Sequence, residues 1–508
     1  MTSKFMTAEE AAKLVKSEDH VLYGGFIALG VNIDGASAII DRFKKTGEPK
    51  DLTLITPSVL IKANDFAIEG LIKKRISSHV GLEPDMSKLI VENKCEAYFL
   101  PYSTIVHLTR AMAGSKPGIL TKTGLGTFVD PRIESGRMND CSPDVLSKIE
   151  TVNGEEYLFY KGFHIDVCLI RGTSADEDGN ISTENEFTIS DICSIALATK
   201  AKGGIVIAEV DRIVKAATIH PKAVSVPGFL VDAITLADPV NPYKPAQTGD
   251  IHIPLETIEP MPLDIRKVIG RRAVMEMTNN DMQAINLGIG IPEAAGHVAG
   301  EEGISDDFKL IIETGTIGGM PQGGVDFGSS INPNAMIPLS FQLDLFNAGI
   351  LDLAVLGLAE ADSMGNVNVS KFGPRIVGPG GFIDISQNTP FVIFSGTLTA
   401  GGLDIAIENG ELKIKQEGKK KKFVKKVEQI TFSGEYARQV RQKVLFITER
   451  CVLDLDPKQG LMVTEIAPGI DLEKDVLNNI DFEVKVAENL KIMDSRLFKH
   501  EPMNLKSE

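Results

Sequence analysis

One stretch of this chain returns in its second half, in the same order and at a constant spacing. That repetition constrains the fold more than composition does. Asp166-Val-Cys-Leu-Ile170, Ala175-Asp176 and Gly179-Asn180-Ile181 answer to Asp352-Leu-Ala-Val-Leu356, Ala361-Asp362 and Gly365-Asn366-Val367, each pair 186 residues apart. Gly204-Ile-Val-Ile-Ala208 and Pro390-Phe-Val-Ile-Phe394 keep the same 186. The matched segments are short β-rich apolar runs separated by helical stretches, which is the pattern of an α/β fold with mainly parallel sheets. An internal duplication of this kind predicts two homologous α/β domains.

The joint between them is also legible. Six of the 25 prolines fall between Pro239 and Pro262, and prolines at that density forbid helix and central strand. Residues 239–263 therefore read as a Pro-rich linker between an N-terminal domain, 1–238, and a C-terminal domain, 264–508. Each domain opens alike. Thr7 and Glu10 form a capping box ahead of a helix through Ala11–Val15, and Asp264 caps a helix through Ile265–Met277. Each helix leads to an apolar strand broken by glycines, Val21-Leu-Tyr-Gly24-Gly25-Phe26 in one half and Ala284-Ile-Asn-Leu-Gly288-Ile-Gly290 in the other.

The 508 residues carry 53 basic against 69 acidic side chains, a net charge of −16. That field repels phosphate backbones and anionic lipid, so nucleic-acid and membrane partners are not expected. No apolar run reaches the ~20 residues of a membrane span, and the opening residues resemble neither a signal nor a transit peptide. Five scattered cysteines without CxxC predict reduced thiols and a cytoplasmic protein. The eight histidines form no metal-ligand cluster, so no metal is expected.

The duplication exposes one asymmetry that bears on chemistry. Gly124-Leu-Gly126-Thr127-Phe128 aligns with Glu313-Thr-Gly315-Thr316-Ile317, so Glu313 stands where the first half has Gly124. Glu313 follows the apolar run Phe308–Ile312, read as a strand, and precedes a Gly-rich turn. The carboxyl end of such a strand is where open α/β sheets bind ligands. On context alone a helix-cap or turn role competes with catalysis. Elsewhere plain readings suffice: a strand-to-helix turn at Gly288 and Gly290, a turn at Gly378-Pro-Gly-Gly381, a satisfied helical histidine at His107, and a solvated turn for the lysines at 419–422.

A set of strings in one order carries a family resemblance. These are Lys116-Pro-Gly118, Thr123-Gly-Leu-Gly-Thr-Phe-Val-Asp-Pro131, Glu156-Tyr-Leu-Phe-Tyr160, Leu169-Ile-Arg-Gly-Thr173 and Val268-Ile-Gly-Arg-Arg272. They continue with Asn286-Leu-Gly-Ile-Gly290, Glu313-Thr-Gly315, Ser370-Lys-Phe-Gly-Pro-Arg375, Gly380-Gly381, Thr399-Ala-Gly-Gly-Leu403, Gln416-Glu-Gly418 and Ile466-Ala-Pro-Gly-Ile-Asp471. The chain resembles the family I coenzyme A-transferases, nearest the single-chain propionate or acetate branch. The resemblance implies the NagB/RpiA/CoA-transferase-like fold, two homologous domains with the active site between them, the catalytic Glu in the second, and a homotetramer.

It also implies the chemistry. Glu313 would be the nucleophile, ionised near neutral pH because free glutamate has a pKa near 4.3. It would attack the acyl-CoA carbonyl to give a mixed anhydride, then pass to a glutamyl-CoA thioester that a second acid resolves in ping-pong fashion. CoA is thus substrate and covalent intermediate, and no permanent cofactor is implied. Substrates would be an acyl-CoA and a small carboxylic acid such as acetate, propionate, butyrate or lactate. Gly381 matches the family's backbone oxyanion donor. The family's side-chain donor, a Gln, is replaced here in Leu100-Pro101-Tyr102-Ser103, which leaves Tyr102 or Ser103 to donate. Asn286, Gly288, Gly290, Gly380 and Gly401 would line the CoA arm, with Lys371 and Arg375 as candidate phosphate partners. A hydrolase using the same intermediate and a non-catalytic CoA-binding protein are the competing readings.

Overall fold

The structure, a computed structural model, describes residues 4–240, 260–279 and 282–505, so residues 241–259 of the linker expected at 239–263 lie outside the described residues. The chain groups into two compact units. The first takes the chain to Ile253 together with Ile312–Asp344 and Gly373–Asp384; the second takes Pro254–Ile311, Leu345–Phe372 and Ile385–Glu508. This differs from the expected division at 1–238 and 264–508, because two segments of the second half, one of them carrying Glu313, belong to the first unit.

The first unit is built on parallel strands. β1 (His20–Tyr23), β2 (Leu52–Thr56), β3 (Ile72–Ser77) and β4 (Glu96–Phe99) lie side by side in that order. Val167–Asp176, Ile205–Val214 and Ala233–Leu236 extend the sheet on the other side of β1, also in parallel. All ten residues of Val167–Asp176 are buried, as expected of a parallel strand covered on both faces. The helix α1 (Ala8–Ala12) precedes β1, and α2 (Ile33–Thr46), α3 (Pro84–Val91) and α4 (Tyr102–Ala113) follow β1, β3 and β4. The expected capping box is present on α1: the Thr7 hydroxyl accepts from the Glu10 amide at 3.2 Å, and the Glu10 carboxylate accepts from the Thr7 amide at 3.0 Å. The Glu156–Tyr160 string falls in a separate three-stranded antiparallel sheet.

The second unit repeats the parallel core and then departs from it. Lys309–Leu310, Ala284–Leu287, Leu353–Gly357, Phe391–Ser395 and Lys443–Ile447 are adjacent and parallel. Cys451–Asp456 and Gly460–Ile466 then turn back as antiparallel neighbours. The strand expected over Phe308–Ile312 contracts to Lys309–Leu310. Asp264 caps its helix as expected, accepting from the Lys267 amide at 2.9 Å, and that helix runs over Ile265–Asn279. The lysine run is only partly a solvated turn. Lys420 and Lys421 form a short strand, and Lys421 pairs with Asp481 at 2.9 Å. Lys422 is turned inward beside Gly396, where burial pulls its pKa down to about 8 against the opposing pull of Glu449.

The duplication survives at the level of single hydrogen bonds. Cys168 pairs with Val206 in the first unit and Ala354 with Val392 in the second, the same register shifted by 186. Asp176 accepts from the amides of Asp178 and Asn180 and from the Asn180 side chain; Asp362 does the same for Met364 and Asn366. The Asn180 side-chain Oδ1 then accepts from Gly228 N–H, as the Asn366 Oδ1 does from Gly434 N–H.

Candidate functional site

The carboxyl ends of the first unit's parallel strands supply a narrow cavity, the position the topology favours for a ligand. Gly25 and Phe26 follow β1, Pro57 follows β2 and Tyr102 follows β4; Val106, Asp191, Thr314 and Leu339 are among the other residues of the lining. Phe26 stands between Tyr102 and Phe327, with ring centroids 5.9 Å from each. The wall is therefore mostly apolar.

Glu313 sits at the corner of a tight turn next to this cavity. Gly315 N–H donates to the Ile312 carbonyl at 3.1 Å, and Ile312 N–H donates to the Thr316 carbonyl at 2.9 Å. Glu313 and Thr314 are thus the two corner residues. Gly315 makes the turn possible: its φ is +100°, and a Cβ there would lie 2.1 Å from the Ile337 carbonyl oxygen. Thr314, buried, donates its hydroxyl to the Gly328 carbonyl and so fixes the corner from below. Burial pushes the Glu313 carboxyl up to about 7, with only its own backbone amide opposing the shift. The expectation of a carboxylate fully ionised at neutral pH is corrected: near pH 7 the group is divided between its two forms.

Tyr102 and Ser103 open α4, and the structure separates their roles. The Ser103 hydroxyl donates to Asp384 Oδ1 at 2.5 Å and its amide to Oδ2 at 3.1 Å, while the side chain is 2% exposed. Ser103 is therefore committed to Asp384 and is not available as a donor to substrate, contrary to one of the two alternatives read from the sequence. Tyr102 donates its amide to the Gly380 carbonyl at 3.0 Å. Its phenolic oxygen is buried and has no hydrogen-bond partner among the described residues. Burial first, then the charges of Glu313 and Asp191, raise the phenol well above its usual range. It stays protonated and able to donate. Asp191, across the same cavity, holds Ser194 at 2.8 Å with one oxygen and leaves the buried Oδ2 unpartnered; burial lifts it to about 6.

Gly380 and Gly381 lead into the helix Phe382–Asn388. Gly380 donates to the Ser78 carbonyl at 2.9 Å and adopts φ +53°, while the Gly381 amide has no acceptor among the described residues. Of the remaining candidates, all but Arg375 lie in the second unit. Asn286 is buried and donates to the Ile311 carbonyl at 2.8 Å, and its own Oδ1 has no partner among the described residues. Gly288 donates to Val355 at 2.8 Å, and Gly290 (φ +89°) and Gly401 (φ +82°) sit in open turns. Lys371 is half-buried and Arg375 exposed, neither in an ion pair among the described residues. His107 is the satisfied helical histidine expected, 3.1 Å from Asp344. Cys451 is fully buried, and burial pushes its thiol up to about 12.

Three residues escaped the sequence reading. Asp384 follows the Gly-Gly pair inside an apolar helix, where an acidic residue asks for a partner. Asp191 stands at the N-cap of the helix Ile192–Lys200, where an acidic residue reads as an ordinary helix cap. His79 follows the carboxyl end of β3 in Ser77-Ser78-His79-Val80-Gly81, so the criterion that singled out Glu313 could have found it.

Comparison with known proteins adds the following. Residues 5–237 match the family profile described as Coenzyme A transferase. A caffeate CoA-transferase from Acetobacterium woodii is 43% identical over 514 aligned residues, covering 98% of this chain and 97% of that protein. The acetate CoA-transferase YdiF of Escherichia coli K12 is 40% identical over 508 aligned residues, covering 97% of this chain and 94% of that protein. Among solved structures, the acyl-CoA transferase YdiF from E. coli O157:H7, in a thioester complex with CoA, matches with a TM-score of 0.92 at 38% identity, over 99% of this chain and 97% of that one.

Proposed function

The chain belongs to the coenzyme A transferase family, and from that premise we propose that it exchanges CoA between a short-chain acyl-CoA and a free carboxylate through a thioester on Glu313. The observation that carries this reading is the turn that presents Glu313 beside the cavity at the strand ends. Its ionised form is less solvated than a surface carboxylate, which favours it as a nucleophile.

A Glu313 oxygen attacks the thioester carbonyl, the C–S bond breaks, and CoA leaves as the thiolate. The thiolate then attacks the Glu313 side-chain carbonyl, expelling the first carboxylate and leaving glutamyl-CoA. A second carboxylate reverses both steps. Each addition puts negative charge on an oxygen, and the free Gly381 amide and the Tyr102 hydroxyl are the donors assigned to it. The apolar walls supplied by Phe26, Val106 and Leu339 suit a short acyl chain, of the acetate, propionate, butyrate or lactate size. Asn286, Gly288, Gly290, Gly380 and Gly401 are assigned to the CoA arm, and Lys371 and Arg375 to its phosphates. The wider reading is a cytoplasmic homotetramer; light scattering of the purified protein tests the assembly.

Intact-mass spectrometry tests the chemistry. Mixing the protein with acetyl- or propionyl-CoA should add the mass of one CoA less water. A free carboxylic acid should remove it, and Glu313→Ala should never acquire it. An adduct that decays equally fast without any acid would replace transfer with hydrolysis. A folded wild type that takes no adduct from any short-chain acyl-CoA would overturn the proposal.

A further inference from the structure

His79 stands against the glycine turn just described. The position of a Cβ on Gly380 would be 3.7 Å from the His79 Cδ2, and one on Gly81 would be 3.0 Å from Nε2. The ring thus fills the space between the two glycines. Gly81 N–H donates to His79 Nδ1 at 3.0 Å, and a ring nitrogen that accepts carries no proton. The neutral tautomer is therefore fixed with its hydrogen on Nε2. The backbone is fixed as well, with the His79 amide and carbonyl both hydrogen-bonded to the Ser77 hydroxyl and Val80 N–H donating to the Val377 carbonyl at 2.7 Å. Nε2 has no partner among the described residues. Burial first, then the nearby Arg375 charge, pull the imidazole down to about 4, so it is neutral throughout the physiological range.

A donor with one proton fixed in direction, no partner, and a place against the Gly380–Gly381 turn asks for an acceptor from outside the chain. Resting on the reading above, we propose that His79 donates its Nε2–H to the acyl-thioester carbonyl oxygen at that turn, as a neutral third donor beside Gly381 and Tyr102. Neutrality is what suits it to the place. A permanent imidazolium would hold any acceptor placed there, ground state included, and so gain little selectively in the transition state. A neutral donor gains most when negative charge develops on the carbonyl oxygen, which is the interaction that accelerates the step.

The competing role is structural: His79 as the acceptor for Gly81 N–H and nothing more. Two isosteric replacements separate them. His79→Asn keeps an acceptor near Nδ1 and loses the Nε2 donor; His79→Gln keeps a donor near Nε2 and loses the Nδ1 acceptor. The measurement is the rate of CoA-adduct formation from acetyl-CoA, with melting curves alongside. His79→Asn should melt near the wild type and form adduct ~10²–10³-fold more slowly, with little change in KM; His79→Gln should be the faster of the two despite a lower Tm. Equal rates, or His79→Asn the faster, would overturn the proposal.

A wild type that forms no adduct would instead sink the underlying transferase reading, so the two failures are distinct.

Discussion

Glu313 shows how a single side chain can trade stability for reactivity. Its folded pKa, about 7, lies above the unfolded value near 4.5, so the native state holds the proton more tightly than the unfolded state. Between those two values the contribution to stability falls as pH rises, and below the lower one it is fully retained. Replacing the carboxyl with an amide should therefore stabilise the fold on the alkaline side only. Glu313→Gln is expected to melt like the wild type at pH 5 and to gain ~1–3 kcal/mol at pH 8, a contrast that thermal melts at the two pH values will check. The rate of adduct formation at low acyl-CoA should climb with pH and level off above about 7, since the ionised form is the nucleophile. Tyr102 invites the opposite comparison. Its hydroxyl is buried without a partner, so Tyr102→Phe should leave Tm unchanged or slightly higher while slowing adduct formation ~10–10²-fold.

At the scale of elements, what matters is how short segments are pinned to one another. Ser103 and Asp384 join the first turn of α4 to the helix that follows Gly381. Because Asp384 is fully buried and lifted to about 7 despite its donors, removing one donor should cost ~1–3 kcal/mol. Ser103→Ala should thus lower Tm yet keep adduct formation within a few-fold of wild type; a loss as large as that of Tyr102→Phe would return Ser103 to the reaction. Gly315→Ala meets both a positive φ and a carbonyl oxygen. It should destabilise by ~2–4 kcal/mol and abolish the adduct. Much of this was readable beforehand. The capping box, the strand-to-glycine breaks and the position of Glu313 follow from local pattern, because they depend on neighbours in sequence. The Ser103–Asp384 link spans 281 residues, and Lys422 is buried against Gly396; neither leaves a local trace. The ionisation of Glu313 was misread for the same reason, since desolvation is a property of the assembled surroundings.

The whole molecule is a duplication whose halves have diverged around a shared frame. If the Asp176 and Asp362 turns are equivalent supports, Asp176→Ala and Asp362→Ala should each cost ~1–3 kcal/mol, and together nearly the sum, as distant sites do; unfolding titrations of the three variants measure this. The same frame explains why fold class was legible early, through two copies of one pattern, while the grouping of segments was not. The first unit borrows Ile312–Asp344 and Gly373–Asp384 from later in the chain, and no composition shift marks those borders. That borrowing has a consequence for how the protein is made. A ribosome that has delivered residues 1–240 has released Tyr102, His79 and most of the cavity wall, but not the carboxylate that would form an anhydride. A product terminated at that length would lack Glu313, the residue to which the thioester is assigned, whatever part of the cavity wall it had folded.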